Sequence, residues 1–393
     1  MNLRSTFSLF RTKPWLVSLC TLALISCFEP QVRADFFYVT DSGNNDIIQY
    51  DLAAANHPAS VFATAATLSA ALGTKVDAPF DLIQNGTNTY VAALGSAGVL
   101  VFNGTSWSKQ TLFAAASGST PYTLQYPGYL AVQTVGASSF LLINDFINNQ
   151  VLRFDLSNGR PAGAVAGSAV YIATTQNGLT LHGPTGIGVD QTGHFIYVTS
   201  SGNSAATSEI YKYGYTNSGT GPISSGATFA TAANSPSAGA GFAVDRLLNP
   251  EASSFGNNKV IAYNSPGGTV AWTATAGINQ PAGVINDSTS PENVWVANFG
   301  AGNVLELDNQ TGATLGTFAL TNNSTVFSGT VPTNPVKPLG IIYVAGSTVL
   351  ETIPETGVPD FQAEAPEPRS LLLLAMGSIG MMGYGWRRRL APA

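Results

Sequence analysis

The chain has 393 residues, with 41 Gly, 22 Pro and only 10% charged residues. Glycine without a three-residue period excludes collagen, and 45% hydrophobic content excludes wholesale disorder. Residues 1–34 and 366–393 are each net +3, so the overall −6 leaves an acidic body that excludes nucleic acid as a partner.

The N-terminus predicts a signal peptide over 1–34. Arg4, Arg11 and Lys13 precede an apolar run from Trp15 to Phe28, and Val32-Arg33-Ala34 offers a small residue, Ala34, for cleavage. The Sec export machinery is the partner this implies. Leu24-Ile25-Ser26-Cys27 also resembles a bacterial lipobox, so lipidation at Cys27 stands beside ordinary cleavage. Both cysteines, Cys20 and Cys27, lie in this leader, and cleavage after Ala34 leaves no disulfide or thiolate site.

Residues 35–353 repeat one unit: an apolar strand, Asp or Asn, a Gly/Asn turn, and a second apolar strand. The predicted hairpins are Phe36–Asp41 with Ile47–Asp51, and Thr89–Leu94 with Gly98–Phe102. Next come Leu141–Asp145 with Val151–Asp155, and Phe195–Thr199 with Glu209–Tyr213. Val260–Tyr263 with Thr269–Trp272, and Val294–Asn298 with Asn303–Asp308, complete the set. Strands opened by Pro or Gly precede several of them, at Pro127–Val132, Pro184–Asp190, Gly241–Asp245 and Pro281–Ile285. Fourth runs follow at Gly159–Val165 and Gly312–Phe318. Four strands per unit describe propeller blades, whose faces are buried only against neighbours. The body begins on a second strand, and Pro338–Val344 has the pattern of the missing opening strand. The fold class expected is all-β, a β-propeller of six blades, with seven the other count. A β-sandwich or β-helix is the rival.

Tyr38-Val39-Thr40-Asp41-Ser42-Gly43-Asn44-Asn45 resembles the repeats of NHL-type and YVTN-type propellers. That resemblance covers most of 35–353 and implies fold more than function.

Residues 354–365 are Pro- and Glu-rich and predict a linker. Pro366-Glu367-Pro368 follows, then an apolar run over 370–386, then Arg387-Arg388-Arg389. A run of this length is at the lower limit for a transmembrane helix. The three parts in this order resemble the PEP-CTERM sorting signal of Gram-negative bacteria. The resemblance implies recognition by an exosortase, transient membrane anchoring through 370–386, then delivery to the cell surface or extracellular matrix. It also implies a link to exopolysaccharide. A plain tail anchor is the rival.

Catalytic motifs are scarce. His57, His182 and His194 share no metal spacing, and no Gly-x-Ser-x-Gly elbow or phosphate loop occurs. The candidate constellation is the strand-ending set Asp41, Asp145, Asp190, Asp245 and Asn298. Gathered at one channel mouth, such oxygens would suit Ca²⁺; in their own turns they would act as caps. Six-bladed lactonases resemble this body at fold level, and that resemblance implies a ring of Asp, Asn and Glu around a catalytic metal. Tyr122, Tyr126, Tyr129, Trp107 and Trp272 would either stack on sugar or fill blade interfaces. Two functions are therefore expected to compete: a non-enzymatic binding or structural module for polysaccharide or surface proteins, and a Ca-dependent lactonase or hydrolase.

Overall fold

Six four-stranded antiparallel sheets follow one another along the chain, and each sheet is a propeller blade. The computed structural model describes residues 34–52, 58–201, 208–216, 223–231, 233–237, 239–245, 247–287, 293–319 and 335–347. All lie within the compact unit Met1–Thr348; the second unit, Val349–Ala393, falls outside them, as does most of the leader.

The inner strands are Pro338–Ser347, Pro79–Asn85, Pro127–Val135, Pro184–Asp190, Gly239–Val244 and Pro281–Asn286, for blades one to six. Blade one is split. Its inner strand is the last strand of the body, pairing with Ala34–Asp41 through Phe37↔Tyr343, Tyr38↔Ile342 and Val39↔Ile341. The ring is thus closed by joining its two ends. Six buried apolar clusters lie where neighbouring blades meet. Phe37, Val39 and Ile48 of blade one meet Trp295 and Ala297 of blade six, for example. Alternating Val, Ile, Tyr and Phe bury both faces of each blade, which a lone twisted sheet could not do.

Each inner strand carries a register shift near its start, as at Pro79/Asp81 and Gly239/Phe242. Such a bulge takes a backbone N–H out of the ladder. Second-strand side chains restore it. The Gly340 N–H donates to Thr40 Oγ1 at 2.7 Å, and the Thr40 hydroxyl donates to the Phe80 carbonyl of blade two at 2.9 Å. Gly241 N–H donates to Ser253 Oγ at 2.7 Å, and that hydroxyl donates to the Ala282 carbonyl of blade six. Asn144 Nδ2 donates to the Thr185 carbonyl at 2.8 Å.

The turns repeat the same alternation. Asn45, Asn149 and Asn258 have left-handed φ values of 62°, 54° and 53°, which Asn tolerates. Their side-chain oxygens accept from the N–H groups of Ala78, Gly183 and Gln280, just before the next blade's opening proline. The three are second members of Asn-Asn pairs in blades one, three and five. These turn bonds thus recur at every second seam, while Asp81 bonds across the seam between blades two and three. Ser253→Ala should cost about 1–3 kcal/mol, because the buried Gly241 N–H loses its acceptor. Urea unfolding measures it, and Ser253→Thr should recover most of the loss.

Several expectations are corrected. Val260–Tyr263 and Thr269–Trp272 belong to the third and fourth strands of blade five, Lys259–Asn264 and Thr269–Ala274. The second strand is Pro250–Ser254, whose Pro-Glu-Ala-Ser-Ser sequence has no β-branched residue to reveal it. In blade three the fourth strand is Val170–Ile172, not Gly159–Val165. Arg153, buried with its guanidinium 3.7 Å from the Tyr171 ring centre, donates to the Ala162 carbonyl and occupies the space beside that segment. A short helix, Ala65–Leu72, links blades one and two and buries Leu68 and Leu72.

The transmembrane sorting helix is corrected as well. Among the described residues no helix is long and apolar enough to cross a membrane, and 370–386 lies outside them. The fold class that the described residues show is the six-bladed propeller. The anchored route to the cell surface, which rested on that helix, is dropped.

Candidate functional site

The register places the five strand-ending residues on two opposite faces. Asp41, Asp145 and Asn298 pair with Pro338, Pro127 and Pro281, at the start of the inner strands. Asp190 ends an inner strand, opposite Phe195, and Asp245 follows the next one. A shared ion would need them at one mouth.

Each is also engaged in or beside its own turn. Asp41 accepts from Gly43 N–H at 2.8 Å, Asn44 Nδ2 at 2.6 Å and Lys337 N–H at 2.8 Å. Burial pushes its pKa up in spite of these bonds. Asp145 accepts from Asn148 Nδ2 at 2.8 Å and Gln150 Nε2 at 3.0 Å. Asp190 accepts from Thr192 and Gly193 N–H groups, and Asp245 from Asn249 N–H at 2.7 Å. Asn298 donates to the Gly277 carbonyl and to Asn303 Oδ1, and accepts from Asn279 N–H. Among the described residues no three His, Cys, Asp or Glu side chains gather to hold a metal.

His182 is exposed and His194 half-buried in a turn, its ring 5.4 Å from Tyr215; His57 lies outside the described residues. Of the five aromatics, Trp107 packs on Phe62 and Phe102, Trp272 is buried with Nε1 donating to the Asn309 carbonyl, and Tyr122 meets Phe154. Tyr129 is buried near the axis, while Tyr126 is 40% exposed.

The face at the start of the inner strands has a different set. Immediately after the second strands stand Ser42, Leu94, Phe146, Ser201, Phe255 and Phe299, one per blade around the channel mouth. Phe146 is 39% and Ile147 52% exposed. Phe255 and Phe299 are half-buried, 5.6 Å apart, with the Lys337 ammonium 5.3 Å from the Phe299 ring centre. Tyr126, just before Pro127, belongs to the same rim. An apolar residue in an otherwise Gly/Asn turn was the available signal. The other face receives both Ala34 and Ser347, which pair there.

Below the rim, the channel encloses about 260 Å³. Aligned from their first residues, the inner strands place Asp81, Tyr129, Gly186, Gly241, Gly283 and Gly340 at one level. Asp81 Oδ2 accepts from the Leu130 N–H of blade three at 2.8 Å. Burial pushes this carboxyl up to about 7, against the smaller opposing pull of the Leu130 and Leu82 N–H groups. A carboxyl that binds its proton more tightly folded than unfolded favours the folded state at low pH. Its contribution is full below about pH 4 and is lost as pH rises to about 7. Asp41 and Asp46 shift the same way through burial, so wild-type stability should fall across that window. Asp81→Asn should flatten the fall by an amount on the order of a few kcal/mol, measured by urea unfolding at stepped pH.

No protein-family model matches the chain, and no curated protein does either. The expected partners are corrected accordingly: exosortase falls with the anchor, and no match supports the Sec machinery that the leader implied. Solved structures do match. A chain from the crystal structure of a nidogen/laminin complex is 14% identical, with a TM-score of 0.53, covering 79% of this chain and 98% of that one. Apo AztD from Citrobacter koseri gives 11% identity and a TM-score of 0.46, covering 81% and 99%. A streptogramin B lyase gives 12% and 0.43, covering 61% and 68%. At such identities the first likeness is one of fold alone, and the other two carry no weight. This chain is a six-bladed β-propeller.

Proposed function

We propose that the chain is a non-enzymatic binding module whose apolar rim holds a neutral polysaccharide. The carrying observation is the one-per-blade set Leu94, Phe146, Phe255 and Phe299 with Tyr126, interleaved with Ser42 and Ser201. Flat rings offer apolar faces to sugar, and the hydroxyls between them offer hydrogen bonds. The rim faces away from the pair Ala34 and Ser347, so a bound polymer would not meet the ends of the ring. Tyr126, Phe146 and Ile147 are exposed together at blade three's part of the rim, and a contiguous exposed apolar patch marks an interaction site. The six-bladed ring supports the same reading, because it supplies a rigid platform with variable turns.

The test is a panel of neutral and acidic polysaccharides probed with wild type and with Phe146→Ser/Phe299→Ser. Wild type should retain at least one neutral polymer, and the variant should bind it about tenfold more weakly or worse. Its thermal midpoint should stay within a few degrees, since both rings are partly exposed. Equal retention by both proteins, or capture of protein partners with no polysaccharide bound, would contradict the proposal.

A further inference from the structure

The throat of the channel is not uniform. A Cβ on Gly241 would lie 2.4 Å from the Ala282 carbonyl oxygen, on Gly283 2.6 Å from that of Leu339, and on Gly340 2.6 Å from Asp81 Cα. In those blades the next inner strand stands too close for any side chain. At the same level, blades two and three carry Asp81 and Tyr129 instead. Both are more than nine-tenths buried, and both line the 260 Å³ cavity. Asp81 reaches the Leu130 N–H of blade three, and its Oδ1 lies 2.9 Å from where a Gly340 Cβ would stand in blade one. One side chain approaches both flanking blades, as a group near the axis must. The Tyr129 hydroxyl is buried with no hydrogen-bond partner among the described residues. Burying such a group unsatisfied is costly unless a ligand completes it.

The remaining lining is aliphatic or aromatic side chains and three glycines, with the single amide Asn286 and no Lys, Arg or His. The cavity therefore holds one acid and one unsatisfied phenol, set among strand backbone and aliphatic side chains. A multivalent cation lacks its donor set there, because no three metal-binding side chains gather among the described residues. An organic cation of single charge needs only one carboxylate, one hydroxyl acceptor and an apolar surface. We propose that the throat binds a small alkylammonium ion, its ammonium held between the Asp81 carboxylate and the Tyr129 hydroxyl oxygen. The alkyl body lies against the wall that includes Ile187, Val284 and Ile341. This site is separate from the polysaccharide rim and does not depend on it.

The probe is n-butylammonium chloride, titrated calorimetrically into the propeller, with 1-butanol and sodium butyrate as the neutral and anionic counterparts. Wild type should bind butylammonium and neither counterpart. Asp81→Asn keeps an acceptor for the Leu130 N–H but loses the charge, and should weaken binding about tenfold or more. Tyr129→Phe should weaken it by a smaller factor. Phe146→Ser/Phe299→Ser should bind butylammonium as wild type does, whatever happens to polysaccharide. No binding by wild type at millimolar probe, or equal binding by a natively folded Asp81→Asn, overturns the proposal. If Asp81→Asn lacks a native near-ultraviolet spectrum, Tyr129→Phe decides, and unchanged affinity there overturns it.

Discussion

A chain ending at Val336 will show no cooperative unfolding transition. The missing strand, Pro338–Ser347, is the inner strand of blade one and, among the described residues, pairs with Ala34–Asp41 alone. Its loss removes the buried side chains Leu339, Ile341, Ile342 and Val344. At about 1.5–3 kcal/mol for each fully buried aliphatic side chain, their sum rivals a typical domain stability of about 5–15 kcal/mol. The loss also leaves an exposed edge along Ala34–Asp41 and parts the first two blades from the sixth. Open edges of this kind invite aggregation. Near-ultraviolet circular dichroism and calorimetry of the truncated chain measure the effect. Ending the chain after Ser347 should restore both signals.

Gly241→Ala should destabilise the propeller by about 3 kcal/mol or more. The added methyl would meet the Ala282 carbonyl oxygen at 2.4 Å, Val284 N at 2.5 Å and Gly283 C at 2.8 Å. All three are backbone atoms of the neighbouring inner strand, so no rotamer change relieves the clash. The blades would have to separate, and the Ser253 bonds to Gly241 N–H and the Ala282 carbonyl would stretch with them. Gly267→Ala is the matched control, because its Cβ would meet nothing within 4 Å. It should change stability by less than about 0.5 kcal/mol. Urea midpoints of the two variants distinguish a packing requirement from a general glycine effect.

Most of the architecture was legible because it rests on local patterns. Hairpins such as Val294–Asn298 with Asn303–Asp308 have β-branched runs around Gly/Asn turns, and the structure forms them at Asn293–Asn298 and Asn303–Asp308. Closure was legible because the body starts on a second strand and Pro338-Leu339-Gly340 repeats an opening strand. Pro250–Ser254 was hidden, since its pairing in mid-sheet overrides a sequence with little strand preference. The inner strand Pro79–Asn85 was hidden by Asp81, which stands where four other blades have glycine. That departure gives the throat its carboxyl group. The turn bonds at every second seam were written in Asn44-Asn45, Asn148-Asn149 and Asn257-Asn258, a two-blade period that a one-blade repeat does not display.

The strand-ending acids show what a chain-order list leaves out. Asp145 and Asp190 look alike in sequence, each closing an apolar run. One closes a second strand and the other an inner strand, and antiparallel pairing sends those two ends to opposite faces. The rim shows the converse. Phe146, Phe255 and Phe299 read singly as turn residues, and only the closed ring brings them around one mouth.

Rim, throat and the position of Ala34 and Ser347 all depend on a ring closed by its last strand. Amide hydrogen exchange across Pro338–Ser347 tests that most directly. In a closed ring, the N–H groups of Pro338–Ser347 that bond to Ala34–Asp41 exchange as slowly as those of Phe37, Tyr38 and Val39, with both sets opening at the global unfolding free energy. Fast exchange in Pro338–Ser347 beside slow exchange in Ala34–Asp41 would contradict a closed propeller.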